Sequence, residues 1–284
     1  DAYSDANLSR RSGTLYENER QDLWVKDHAK EVALPYYGFD FIQLANNHGD
    51  NAGGHYRRWF ASRYKELDSL IGPRNALPAK NYIAPQAWRT AVPEELYSTA
   101  FVEERTINYL EKYGTLSTEQ PFFIQCSFPD PHHPFVPPGR YWDMYDPSDC
   151  QVSGSLGSEL IDPPPFQKDL HEQLRSGRRE SRVAAYACNE REARESTALT
   201  YGMISFVDDA VGRILAKVKE LGLDRNTVII FTSDHGDLMG DHGLMLKHCF
   251  HNDGLIRVPF IWSDPYNKSK ATRTNLLAGT IDIS

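Results

Sequence analysis

The strongest pattern along the chain is helical. Between Ala193 and Leu221 the apolar residues Met203, Val207, Val211, Ile214, Leu215, Val218 and Leu221 recur three and four apart, one face of a long helix. Gly222 follows and ends it. The next apolar run, Thr227–Thr232 (TVIIFT), is continuous and short, as a buried strand is. A long helix, a glycine turn and an apolar strand form the αβ half of a parallel-sheet unit. Two further strands are predicted at Pro121–Phe128 (PFFIQCSF) and Val258–Trp262 (VPFIW). Pro93-Glu94-Glu95 opens a helix running to about Tyr113, with Leu96, Ala100, Ile107 and Leu110 as its stripe. Leu15–Leu34 is predicted helical, and His55–Leu70 is predicted to be a surface helix with aromatic anchors. Asn46–Gly54 and Pro73–Pro93 read as loops, and Ser148–Ser181 as an excursion over the surface. The fold class is therefore α/β, a mostly parallel sheet flanked by helices, with no internal repeat.

Composition narrows the function classes. Of 284 residues, 40% are hydrophobic and 25% charged, the profile of a globular protein, and the formal net charge of −8 argues against nucleic acid as a partner. No apolar stretch reaches the roughly 18–20 residues of a membrane span. Cys126, Cys150, Cys188 and Cys249 are widely spaced, which excludes a zinc ribbon and a redox dithiol. The chain starts at Asp1 without Met, so an upstream segment is expected.

The chemistry gathers where strands end. Ligands of open α/β sheets bind beyond the carboxyl ends of the strands. Pro121–Phe128 runs into Pro129-Asp130-Pro131-His132-His133-Pro134-Phe135, and Thr227–Thr232 into Ser233-Asp234-His235-Gly236-Asp237, with Gly240-Asp241-His242-Gly243 and Lys247 following. If the two strands are parallel neighbours, both loops fall on one edge. Asp234 and His235 pair a hard oxygen donor with an imidazole, a donor set for a divalent cation that needs further ligands. The bland reading is a capped loop with a solvated histidine. His132 and His133 lie between prolines, which describes either a stiff ligand site or a stiff surface loop. Lys247 follows Leu244-Met245-Leu246. Such a lysine either snorkels to water or binds an oxyanion.

Three stretches together resemble the sulfatase branch of the alkaline-phosphatase superfamily. Pro121–Pro147 resembles the family's strand and DPHxPF-type loop, Thr200–Leu223 its long helix, and Thr227–Trp262 its SDHG, GxHG, Lys and RVP pattern in order and spacing. The resemblance implies that Asp234 and His235 are metal ligands and that His132 and Lys247 contact the transferred group, as catalytic and substrate-binding residues. His133 falls on a variable position of the motif. A histidine at the second metal position, where many sulfatases have asparagine, is similar to the phosphonate and phosphate monoester hydrolases. The implied cofactor is one divalent cation, calcium or manganese, with zinc a further candidate, and the implied substrate is a small anionic ester.

The sequence also departs from the family. The paired aspartates, the Cys-x-Pro-Ser-Arg segment that supplies a formylglycine nucleophile, and the Gly-Lys-x-His segment are absent, and Gly279–Ser284 resembles the start of a motif that is not continued. The expectation is a partial sulfatase-type catalytic domain over residues 1–284, with a variable helical and loop region at 1–120 and a core at 121–284. Its nucleophile is expected upstream, and the chain alone is expected to be inactive. The expected activity of the complete protein is metal-dependent hydrolysis of sulfate esters or phosphate or phosphonate monoesters. The alternatives are a phosphodiesterase or phosphomutase of the same superfamily and a non-catalytic relative that binds anions.

Overall fold

The computed structural model describes residues 17–18, 20–26, 30–79, 81–115, 120–157, 163–179, 185–247, 251–267 and 273–283. Its helices are α1 (Gln21–Lys26), α2 (His55–Arg63), α3 (Ser98–Thr115), α4 (Pro165–Ser176), α5 (Glu190–Glu220) and α6 (Asp253–Ile256). Its strands are β1 (Tyr186–Ala187), β2 (Ile229–Thr232), β3 (Leu244–Met245) and β4 (Phe260–Ser263).

Helix α5 is the spine. It begins three residues before the predicted start at Ala193, because Asn189 and Glu192 close a reciprocal capping box over the first turn. Its first half is buried almost all round, polar residues included, from Glu195 to Thr200. Glu192 meets the Arg179 guanidinium through both carboxylate oxygens. Glu195 accepts the backbone N–H groups of Ile83 and Ala84 at 2.7 and 2.9 Å. Buried carboxylates need such partners, and these tie the 81–89 loop to the helix. At Gly202 the backbone of Tyr141 comes so close that a Cβ would sit 2.3 Å from its carbonyl oxygen.

Further along, Ile214 and Val218 pack with Leu110 of α3. Helix α3 begins at Ser98, five residues after Pro93, since residues 94–96 form a separate 3₁₀ turn. Helix α2 is not the surface helix expected. Tyr56, Trp59 and Phe60 are buried against Phe101, and His55 and Arg57 are buried with them. The aromatic anchors are numerous enough to draw the whole helix inward. Within Leu15–Leu34 the predicted helix is reduced to the six-residue α1, pinned by the buried Trp24 indole donating to the Asn18 carbonyl, while the described residues 30–34 are not helical; residues 15–16, 19 and 27–29 lie outside the described residues. The 148–181 stretch is more than a surface excursion, for it contains α4, whose Leu170 and Leu174 pack beside Ala187, Leu238 and Leu244. No helix among the described residues is long and apolar enough to cross a membrane.

The parallel sheet is not found among the described residues. The strands pair antiparallel, β1 with β3 and β2 with β4, and the parallel contact is a single isolated bridge from Ala87 to Phe135. A parallel return needs a crossover of a dozen or more residues, usually a helix. Between β2 and β4 the described residues hold a 3₁₀ turn, the short β3 and the four-residue α6 rather than a long crossover helix, and β4 re-enters from the same end as an antiparallel neighbour. Pro121–Phe128 is extended but joins no ladder. Its side chains alternate: Phe122, Ile124, Cys126 and Phe128 pack on Leu110, Ile214, Val218 and Ile229, while Phe123 on the other face is 71% exposed. The predicted buried strand is thus covered on one face.

Candidate active site

The site is assembled by three loops. The first, 129–136, follows the extended Pro121–Phe128 segment. Asp130 is buried beneath it, 3.5 Å from the Tyr97 hydroxyl, and burial pushes its carboxyl up to about 7. The imidazole of His132 donates from Nδ1 to the carbonyl oxygen of His133, which leaves Nε2 as the nitrogen with a free lone pair. Burial, reinforced by the charges around it, pushes His132 down to about 2 and His133 to about 3, so both rings are neutral at pH 7.

The second loop, 233–247, leaves β2 and folds back on itself. Gly236 N–H reaches the Leu255 carbonyl at 2.7 Å, Leu238 N–H the Leu246 carbonyl at 3.0 Å, and Gly240 N–H the Leu244 carbonyl at 2.8 Å. Leu246 is fully buried, anchoring the backbone immediately before Lys247. Lys247 is half-buried, which lowers its pKa, while Asp237 and Asp234 raise it. Its charge also acts on His132, His133 and His48. The 129–136 and 233–247 loops therefore share one face.

Asp234 and His235 stand at the exposed rim. The Asp234 side chain is 83% exposed, and its Oδ2 lies 3.4 Å from His235 Nε2. Its Oδ1 accepts from the His235 backbone N–H at 2.9 Å. His235 Nδ1 donates to the Gly236 carbonyl at 2.7 Å, the arrangement that orients metal-binding histidines and leaves Nε2 unprotonated. An outward carboxylate oxygen and an available imidazole nitrogen fit two positions of a cation sphere. No group of three or more His, Cys, Asp or Glu suited to a metal occurs among the described residues, so further donors would have to join these two.

The third loop, 46–54, was read in sequence only as a loop, and it brings His48 into the site. The rings of His48 and His132 are stacked, with centroids 3.4 Å apart and planes 11° from parallel. Burial and Lys247 lower His48 to about 4, against the opposing pull of Asp234. His133, set aside on motif grounds, is buried in the same cluster, its ring centroid 4.0 Å from that of His132. The signal for His48 was weak: one histidine in an Asn-, Asp- and Gly-rich stretch, more than eighty residues from the motif it joins.

Comparison with known proteins follows the same lines. The sulfatase family matches residues 27–283. An arylsulfatase of Clostridium perfringens is 30% identical over 230 residues, covering 80% of this chain and 44% of the relative. The multifunctional alkaline phosphatase superfamily protein PehA of Trinickia caryophylli is 31% identical over 221 residues, 74% of this chain and 41% of the relative. Among solved structures, the phosphonate monoester hydrolase of Agrobacterium radiobacter superposes with a TM-score of 0.56 at 25% identity, covering 84% of this chain and 47% of that one. The chain thus spans less than half the length of these relatives.

Proposed function

The chain belongs to the sulfatase family, and from that premise we propose that the protein containing it hydrolyses sulfate esters or phosphonate or phosphate monoesters with a bound divalent metal. The observation that carries the reading is the half-buried Lys247 ammonium, near enough to His48, His132 and His133 for its charge to lower their pKa values. It makes no ion pair or hydrogen bond among the described residues, which leaves its donors for a small anion. The names of the relatives, an arylsulfatase and a phosphonate monoester hydrolase, point to the two ester classes.

In this reading Asp234 and His235 hold the metal, which when bound acts as Lewis acid and template. Calcium and manganese suit the oxygen donor, while manganese and zinc suit the imidazole as well. Lys247 places a positive charge against the transferred group, where negative charge develops as the ester bond breaks. His132 presents Nε2 to the same group, held in orientation by the Nδ1 contact to the His133 carbonyl. The attacking nucleophile, a formylglycine in this family, belongs to a segment the described loops do not contain. The test is turnover of 4-nitrophenyl sulfate and of a 4-nitrophenyl phosphonate monoester by the complete protein, metal-loaded and metal-stripped. Turnover of either substrate that is lost on stripping and restored by metal supports the reading. No turnover of either, or turnover indifferent to metal, refutes it.

A further inference from the structure

We propose that His48 is a positioning residue of the anion site, fixing the plane of the His132 imidazole by face-to-face contact; the proposal rests on the reading of His132 as a contact to the transferred group. Three observations converge on it.

The first is the contact itself. At 3.4 Å between centroids and 11° between planes, His48 lies flat on His132. The His133 ring meets His132 at 4.0 Å and 32°, and His48 and His133 make no ring contact with each other, so they flank His132 from different sides. Rotation of the His132 ring about its Cβ–Cγ bond is blocked on both, and its Nδ1 is committed to the His133 carbonyl. Nε2 is left with a single heading.

The second is how the 46–54 loop is held. Asp50 is fully buried, and its Oδ2 accepts from the Gly72 N–H at 3.1 Å, the Trp88 indole at 2.9 Å and the Thr90 hydroxyl at 2.8 Å. Between it and His48, Gly49 adopts φ +60° with its Cα against the 129–136 loop. A Cβ there would lie 2.7 Å from Pro134 Cγ and 3.0 Å from Val136 Cγ2. The backbone on the C-terminal side of His48 is thus clamped to the segment that carries His132.

The third is what His48 does not do. Its nitrogens hydrogen-bond to no described residue. The buried His55, by contrast, accepts the Leu44 N–H at 2.9 Å and reaches Glu31. Among the described residues, the ring face laid on His132 is the specific contact through which the His48 side chain meets the site.

The test uses His48→Phe, His48→Ala and His48→Gln in the complete protein, with kcat and KM read separately, and proton NMR of the His132 ring, shifted upfield by the ring stacked on it. Phe keeps a flat ring, Gln keeps hydrogen bonding, and Ala keeps neither. The proposal predicts that Phe retains kcat within about threefold, while Ala and Gln lose about tenfold or more with KM little changed, since misplacement costs rate more than affinity. It also predicts that the full His132 ring shift persists in Phe and falls in Ala to the part that the neighbouring His133 ring supplies. Native kcat in Ala overturns the proposal, as does rescue by Gln but not by Phe, which would make His48 a hydrogen-bonding ligand. The two readings fail separately. A ring-shifted His132 in a protein that turns over neither ester refutes the function and leaves the positioning role. Turnover with an unshifted His132 does the reverse.

Discussion

Replacing Lys247 with alanine separates an anion-binding lysine from one that merely reaches the surface. The side chain is half-buried, and desolvation is the leading influence on it, only partly opposed by Asp237 and Asp234. Its ammonium makes no ion pair or hydrogen bond among the described residues. Removing an incompletely solvated, unpaired charge relieves a cost, so Lys247→Ala should leave stability within about 0.5 kcal/mol or raise it slightly. If the ammonium opposes charge developing on the departing ester oxygen, its loss should raise the barrier by about 3 kcal/mol, roughly a hundredfold or more in kcat. Lys247→Arg should restore little, because a planar guanidinium presents a different geometry from a compact ammonium. The assay is kcat and Tm on the same preparations of the complete protein. A Lys247→Ala variant with near-native kcat refutes the reasoning, and one that loses rate only in step with folded fraction makes the lysine structural.

Further outcomes follow from the same geometry. Asp234→Asn together with His235→Ala should weaken metal binding at least tenfold, measured by calorimetry on the complete protein, since the Gly236 carbonyl already orients the His235 ring; unchanged affinity would move the metal elsewhere. Gly49→Ala should destabilise by about 1–3 kcal/mol in urea melts, because a Cβ at φ +60° meets Pro134 at 2.7 Å; a neutral result would show that the 46–54 loop is not clamped. His48, His132 and His133, at about 4, 2 and 3, take up protons mainly on unfolding below pH 6.5, so acid should weaken the fold from about 6.5 towards 2 in melts followed against pH. Asp130, raised to about 7, has the opposite sign: the folded state holds its proton, and that advantage is lost as pH rises through 7. Asp130→Asn should therefore stabilise the chain more at pH 8 than at pH 5, and an equal shift at both would contradict the burial of a charge there.

Legibility in the sequence followed the range of the interactions. The helices α3 and α5 and the strands β2 and β4 were readable because their apolar patterns are local. Asp234, His235 and Lys247 stand out as candidates in the sequence because one short, glycine-punctuated segment carries all three, and His132 through its place in the motif that the prolines stiffen. Strand pairing was not readable. Its direction depends on whether the chain between β2 and β4 crosses over or doubles back, and that is decided by hydrogen bonds such as Gly236 to Leu255. The burial of α2 was missed because a helix carrying His55, Arg57 and Arg58 looks polar, although Tyr56, Trp59 and Phe60 share a core with Phe101. His48 was invisible for a related reason. Its partner lies 84 positions away, and the loop that carries it is held by an aspartate whose donors come from Gly72, Trp88 and Thr90.

The proposed anion site lies between Lys247 and the imidazole of His132, beside a metal held by Asp234 and His235. The most direct measurement is a crystal structure of the complete protein, metal-loaded and grown with vanadate as a stand-in for the transferred group. The expected result is the anion within hydrogen-bonding distance of Lys247 Nζ and His132 Nε2, with the metal on the Asp234 carboxylate and His235 Nε2. Vanadate bound away from both residues, or a metal on neither Asp234 nor His235, would contradict it.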